Sequence, residues 1–224
     1  MTTFFRSDAD LYFPDSDGKP IADNTEQFRW IVLIKENLEI LFADEPNVFV
    51  AGDLLWLLVK SRLISPVAPD TMVVFGRPKG RRGSYKQWQE DNIAPQAVWE
   101  ILSPSNNAEE MERKLEFYQT YGVEEYYQYD PDRYELKGWR RLGEQLLPIA
   151  QIDGWTSPRL GIRFVVGNHE LMIYRPDGRK FLSPVELQQQ AEQERQRAEQ
   201  AEQELQDMQA LLQQYRDRFG ELDH

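Results

Sequence analysis

The chain contains 224 residues, with a formal net charge of −12, no cysteine and two histidines. These numbers exclude disulfides, thiolate metal sites and a His-rich zinc centre. Any metal would therefore be bound by oxygen ligands, which Mg²⁺, Mn²⁺ and Ca²⁺ prefer. The acidic charge argues against nucleic-acid binding over the whole surface but is compatible with a local basic site.

Nothing in the chain predicts a membrane segment or a secretory signal. No apolar run approaches 18 residues, and residues 1–10 lack the basic and apolar regions of a signal peptide. We therefore expect a cytoplasmic protein with no membrane partner.

Residues 1–183 alternate between helical and strand patterns. A first helix is predicted over residues 24–44, with Asn24 or Thr25 as its N-cap, and a second over residues 108–122. Strands are predicted between and after these helices, within residues 47–58, 69–76, 94–103, 123–141, 146–152 and 162–166. This order predicts an α+β fold, in which a mixed central β-sheet is flanked by helices.

Residues 184–219 are rich in Gln, Glu and Ala and predict a coiled-coil helix, with the domain boundary after residue 183. The heptad seam, spaced 4-3 throughout, consists of Leu187, Ala191, Glu194, Ala198, Ala201, Leu205, Met208, Leu212, Tyr215 and Phe219. The alanines weaken its first half, where a solvated single helix is an equal alternative. The second half favours self-association, as a homodimer or a higher homo-oligomer, or a partner helix.

One carboxylate interrupts an apolar strand. Glu100 lies inside the apolar run of residues 97–102, although desolvating an unpaired charge is costly. Strand alternation places it on the face opposite Trp99. On the following helix, Lys114 flanks the inward-facing stripe, so its ammonium can reach toward the sheet. A second carboxylate, Asp70, directly precedes another apolar strand.

Two carboxylates can hold a divalent cation. A lysine ammonium beside them can stabilise negative charge that develops on a phosphoryl group. When the spacing is considered alone, purely structural roles for these residues are favoured. Asp70 could cap a turn, Glu100 could pair with Arg113 or Lys114, and Lys114 could lie on the surface.

The chain also resembles the Uma family through four segments in matching order: "APDTMVVFGRPKG", "WEILSPSN", "ERKLEFYQTYGVEEYYQYDPD" and "GWTSPRLGIRF". This family of restriction endonucleases is expanded in cyanobacteria and is assigned to the PD–D/E–XK nuclease superfamily. The resemblance implies a restriction-endonuclease-like core that binds Mg²⁺ or Mn²⁺ and acts on DNA. It implies catalytic roles for Asp70, Glu100 and Lys114, with Asp70 and Glu100 as the metal ligands.

The chain departs from the wider superfamily at one position. The superfamily lysine usually lies two residues after the acidic residue, where this chain has Leu102. Lys114 would then replace that lysine from the helix. A further acidic ligand often comes from the first helix, where Glu36 is the candidate, and Asp53 is another.

A Gly-rich loop between the two carboxylates carries five cations: Arg77, Lys79, Arg81, Arg82 and Lys86. With Tyr85 and Trp88 beside it, such a loop can contact phosphates and stack on bases. A solvated loop whose charges offset nearby acids is the alternative. We predict the nucleic-acid contact, because the loop joins the two strands of the predicted metal site.

Two functions are compatible with the sequence. The first is a metal-dependent endonuclease that hydrolyses DNA phosphodiester bonds, with the coiled coil bringing two sites together. The second is a catalytically weak or inactive nuclease-fold protein that binds partners as a scaffold through residues 184–219. The leucine at position 102 and the net charge keep this second function open.

Overall fold

The computed structural model describes residue 18 and residues 22–61, 64–167 and 170–220. Residues 1–10, on which the absence of a signal peptide was predicted, lie outside these ranges. The chain divides into two units between Phe181 and Leu182. No helix within the described ranges is long and apolar enough to cross a membrane.

In its described ranges, the first unit contains two α-helices, a short 3-10 helix (Gln87–Gln89) and a series of short strands. In chain order they are α1 (Thr25–Leu41), β1 (Val48–Gly52), β2 (Trp56–Leu57), β3 (Thr71–Phe75), β4 (Tyr85–Lys86), β5 (Ala97–Ile101), α2 (Ala108–Thr120), β6 (Glu125–Asp130), β7 (Glu135–Leu142), β8 (Gln145–Pro148), β9 (Arg163–Val166) and β10 (Leu171–Tyr174). The N-caps of α1 and α2 are Asn24 and Asn107, whose side chains accept hydrogen bonds from backbone N–H groups of the first turn.

Six strands form the central sheet in the order β1-β3-β5-β6-β7-β8. Neighbouring strands are antiparallel except β5 and β6, which run parallel and are connected by α2. The predicted α+β class with a mixed central sheet is therefore confirmed. The interrupted strand predicted over residues 47–58 instead forms β1 and β2, which lie in different sheets. Asp53 turns the chain between them with a left-handed φ of 46°.

The two helices cover opposite faces of the sheet. α1 packs on the face that carries Trp99 and Ile101, and α2 packs on the face that carries Val98. Because side chains alternate along β5, Glu100 points to the α2 face with Val98. Its partners must therefore come from α2 or from the adjoining strands.

The second unit consists of one helix, α3 (Pro184–Phe219), which is 36 residues long. Ser183 and Glu186 form a capping box at its start, and Gly220 ends it. The side chains from residue 191 to residue 218 are exposed. The predicted long C-terminal helix is confirmed, and its association in a coiled coil stays a prediction.

Candidate active site

Two neighbouring strands bring Asp70 and Glu100 to the same end of the sheet. β3 and β5 are antiparallel with Thr71 opposite Trp99, so the residue before β3 lies beside the end of β5. The Asp70 carboxylate accepts a hydrogen bond from the backbone N–H of Ile101, with Oδ2 2.6 Å from the nitrogen. Both acids are buried, with exposed fractions of 9% for Asp70 and 2% for Glu100.

α2 supplies both partners of the Glu100 carboxylate. The Nζ atom of Lys114 lies 2.7 Å from Oε2 of Glu100. One turn later on the same helix face, the hydroxyl of Tyr118 donates a hydrogen bond to Oε1. Lys114 therefore points inward, and both carboxylate oxygens of Glu100 are hydrogen-bonded.

The two carboxylates share one nearby ammonium group. Burial raises the pKa of Asp70 well above its usual value, and the negative charge of Glu100 raises it further. The Ile101 N–H and the Lys114 charge oppose this increase. Burial alone would lower the pKa of Lys114, but the charge and hydrogen bond of Glu100 outweigh that effect, and the pKa is raised. Lys114 is therefore an ammonium ion at neutral pH, beside two acids that repel each other.

An open cleft of about 620 Å³ lies over this arrangement. Asp70 and Lys114 form part of its wall together with Asp53. Glu100 itself does not line the cleft, but it is bound to Lys114, which does. The titratable residues that line the cleft are Asp23, Asp53, Asp70, Glu110, Arg113 and Lys114.

The Ser-Pro-Ser-Asn segment after β5 ties the cleft to the start of α1. The hydroxyls of Ser103 and Ser105 both donate to the Asp23 carboxylate, the first at 2.6 Å. The side-chain amide of Gln27 donates to the carbonyl oxygen of Ile101 at 2.8 Å. The first turn of α1 is thereby held against the end of the strand that carries Glu100.

α1 therefore presents Gln27 to the cleft, and not Glu36. Glu36 lies nine residues further along, which is about 180° around the helix at about 100° per residue. Its carboxylate pairs with Lys35 at 3.0 Å, and about half of its side chain is exposed. The other acidic candidate, Asp53, does line the cleft.

The side chains at the cleft offer only oxygen atoms to a metal. In the described parts of the chain, no three Asp, Glu or His side chains are arranged as a metal cluster. Mg²⁺ commonly binds through one or two carboxylates and completes its shell with water and substrate phosphate oxygens. Asp70 and Glu100 fit that donor set, because they lie together and the charge of one raises the pKa of the other.

Comparison with known proteins identifies the family. The model of the Uma2 family, described as "Putative restriction endonuclease", matches residues 18–213. The chain belongs to this family. Among solved structures it is similar to the "putative nuclease belonging to DUF820" from Anabaena variabilis ATCC 29413, with 14% sequence identity and a TM-score of 0.48. That similarity covers 64% of this chain and 77% of the other. No curated protein sequence matches the chain.

The basic loop of this Uma2 family member lies away from the cleft. It begins after Phe75, at the far end of β3 from Asp70, and five strand residues separate the two points by about 15 Å. None of its five cations lines the cleft. Arg77 and Arg82 both bind the Glu90 carboxylate, at 2.9 and 2.7 Å.

Two further contacts tie the loop to the rest of the first unit. The guanidinium of Arg82 lies 4.0 Å from the centroid of the Phe49 ring. Lys79 donates to the carbonyl oxygen of Phe42 at 2.7 Å. At least three of the five cations therefore bind groups of the protein itself, and the contact of this loop with DNA stays a prediction. Arg81 is exposed to solvent.

Replacing Arg82 with Ala is expected to lower the free energy of unfolding by about 2 kcal/mol, because charged hydrogen bonds and a ring contact are lost. For a chain of this size the melting temperature should fall by roughly 5 °C. Arg81→Ala is the matched control on the same loop, and its effect should stay within about 0.5 kcal/mol. Thermal unfolding followed by circular dichroism measures both variants. Equal melting temperatures for the two variants would show that the Arg82 contacts do not stabilise the loop.

Two residues at the site were not predicted from the sequence. Tyr118 lies on the inward-facing stripe of α2, and its position four residues after Lys114 is a signal that both could reach one acceptor. Gln27 carries a polar group on the inner face of α1, next to Trp30 and Ile31 in the helical pattern. A buried polar side chain needs a hydrogen-bond partner, and this requirement could have pointed to it.

Proposed function

We propose that this Uma2 family member is a metal-dependent endonuclease that hydrolyses phosphodiester bonds in DNA. The observation that carries the proposal is the inward Lys114, bound to Glu100 next to a second buried carboxylate at a cleft. A purely structural ion pair would not require Asp70 beside it, where burial and the charge of Glu100 oppose its ionisation. Membership of a family described as restriction endonucleases supports the same reaction class.

Each side chain has a distinct role in this proposal. Asp70 and Glu100 hold Mg²⁺ or Mn²⁺, and such an ion, when bound, polarises the phosphate and lowers the pKa of bound water. The ammonium of Lys114 orients the attacking water and stabilises the negative charge that develops on the phosphate. Tyr118 is a positioning residue, because its hydroxyl donates a hydrogen bond to Oε1 of Glu100 and so fixes the carboxylate. Burial and the charge of Glu100 raise the pKa of Tyr118, so its phenol remains a donor.

The DNA backbone would contact the cations that line the cleft. Arg113 and Lys114 lie next to each other on its wall. The polar side chains of Gln27, Ser105 and Asn106 line the same cleft and can hydrogen-bond to phosphate or sugar oxygens. Arg81, exposed on the basic loop, stays a candidate for a more distant phosphate contact.

The decisive experiment measures the nicking of supercoiled plasmid DNA by the purified protein with Mg²⁺ or Mn²⁺. We expect nicked circles to accumulate, EDTA to stop the reaction, and Glu100→Gln to reduce it to background. Gln has nearly the shape of Glu and can still hydrogen-bond to Lys114 and Tyr118, so the fold should be retained.

Two results would contradict the proposed nuclease activity. Equal nicking by the wild type and Glu100→Gln would indicate a contaminating enzyme. Inactivity of both with either metal would favour the second function, in which a nuclease fold without efficient catalysis serves as a binding scaffold through α3.

Self-association through α3 is the remaining part of the proposal. The heptad seam of this helix supports a homodimer or a higher homo-oligomer, and its apolar side chains are exposed within one chain.

A further inference from the structure

The second half of α3 carries a row of large apolar side chains that one chain leaves exposed by half or more. Their exposed fractions are 55% for Leu205, 61% for Met208, 54% for Leu211, 53% for Leu212 and 58% for Tyr215. The first half of the same seam offers only alanines and Glu194 between Leu187 and Leu205. Apolar rows of this kind on a helix are usually buried by another helix.

We propose that residues 201–219 pair antiparallel with the same residues of a second copy of the chain, centred on Ala210. In this register Met208 packs opposite Leu212 of the second copy, and Leu205 packs opposite Tyr215 of the second copy. The two-fold symmetry repeats each contact, so every large residue of the row is covered. The proposal does not depend on the nuclease activity.

The charges beside the seam fit this register. In an antiparallel pair of helices, residues at heptad position e face position e of the second helix, and residues at position g face position g. Glu202 then meets Arg216 of the second copy, and Glu204 meets Arg218 of the second copy. Symmetry doubles both pairs, which gives four attractive contacts between the copies and no repulsive one. Leu211 lies beside the seam, outside the a and d positions. It packs against Leu211 of the second copy and is therefore covered as well.

Other arrangements of two copies satisfy the sequence less well. A parallel, in-register pair stacks Glu194 on its copy inside the seam and places Leu211 beside Arg216. It offers attraction only between Arg197 and Glu202. An antiparallel pair that overlaps along all of α3 brings Glu202 and Glu204 each against its own copy, which is repulsive.

The proposed register places the starts of the two α3 helices far apart. From Ala210 to Pro184 is 26 residues, or about 39 Å of helix, so the two α3 helices begin about 80 Å apart.

The chain has no cysteine, so single introduced cysteines report which residues are neighbours. Met208→Cys and Leu212→Cys are made separately in the full chain and oxidised mildly, alone and as an equimolar mixture. Both positions are exposed in the single chain, so neither substitution should affect its folding. We expect disulfide-linked dimers to form at least tenfold faster in the mixture than in either variant alone.

Two outcomes of the oxidation experiment would overturn the proposal. Self-linking of each variant at the rate of the mixture would indicate a parallel pair. A wild-type chain that sediments as a monomer at tens of micromolar would show that the row is covered by something other than a second copy.

Charge reversal tests the register independently. One variant combines Glu202→Arg with Glu204→Arg, and the other combines Arg216→Glu with Arg218→Glu. Each should weaken self-association at least tenfold in sedimentation, and mixing them should restore it. Arg197→Glu is the matched control, since only the parallel pair uses Arg197. Loss of dimers in that control, with no effect of the double variants, would overturn the antiparallel register.

Discussion

Lys114→Met is expected to lower the rate of plasmid nicking at saturating Mg²⁺ by about 100-fold or more, the usual range for losing a group that assists proton transfer or stabilises developing charge. Methionine keeps the length and most of the apolar stem of lysine but removes the ammonium that lies 2.7 Å from Glu100. The measurement is the initial rate of nicked-circle formation at several Mg²⁺ concentrations.

The same substitution should reduce stability. It leaves the Glu100 carboxylate buried with only the Tyr118 hydroxyl as a side-chain donor. We expect the free energy of unfolding to fall by about 2 kcal/mol at pH 8, below the usual range for a broken buried pair because Lys114 is partly exposed.

A double variant separates the catalytic role of Lys114 from its structural role. Adding Glu100→Gln to Lys114→Met removes the unpaired buried charge, so most of the lost stability should return while nicking stays at background. Lys114→Arg is the matched control that keeps the charge, and it should retain the stability of the pair. Nicking by Lys114→Met at the wild-type rate would mean that Lys114 serves only to hold Glu100.

The sequence predicted the sheet around Glu100 well, because each strand follows a local rule. The alternation of residues 97–102 indicated which face carries the acid, and the helical period placed Lys114 on the flank of α2. Both statements depend only on backbone geometry over a few residues. They held because the strand and the helix are regular.

The placement of residues far apart in the chain was harder to predict from the sequence. Glu36 was named because a further acidic ligand often comes from the first helix, but the rotation of α1 relative to the sheet is set by packing of Trp30 and Ile31. The five loop cations were predicted to contact DNA because their loop joins the two strands of the predicted metal site. Glu90, which neutralises Arg77 and Arg82, follows them in the chain, but local spacing does not show that the loop folds back onto it.

Asp70→Asn should abolish nicking and yet stabilise the metal-free protein at neutral pH. In the wild type, burial and the charge of Glu100 both oppose the ionised carboxylate. The neutral amide removes that cost, and its oxygen can still accept the hydrogen bond from the Ile101 N–H. Replacing a poorly compensated buried charge should raise the free energy of unfolding by about 1 kcal/mol or more, as for other buried ionic groups. The melting temperature should rise by about 2–4 °C.

The sign of the pH dependence distinguishes this explanation from a general packing effect. The pKa of Asp70 is raised in the folded state, so its contribution to stability is complete below the unfolded value of 3.8 and is lost as the pH rises through the folded pKa. The advantage of Asp70→Asn should therefore be full above the folded pKa and should shrink as the pH falls toward 3.8. Urea unfolding at pH 8, 6 and 4 without metal measures the difference in free energy of unfolding between Asp70→Asn and the wild type.

Asp177→Asn is the control of opposite sign. A hydrogen bond from Arg179 lowers the pKa of the Asp177 carboxyl. Its contribution is therefore present above the unfolded value and is lost as the pH falls, so this variant should be no more stable than the wild type at pH 8.

Mg²⁺ should reverse the order of the wild type and Asp70→Asn. A ligand that binds only the folded state stabilises it by about 2.7 kcal/mol at a concentration 100 times its Kd. The wild type should gain this stability with Mg²⁺, and Asp70→Asn should gain much less, because one of its two proposed ligands is an amide. The wild type then becomes the more stable protein in Mg²⁺, although it is the less stable one in EDTA. A variant that is less stable than the wild type in EDTA would show that the Asp70 carboxylate stabilises the fold by itself. The buried pair of acids would then have a structural reason to exist without a metal.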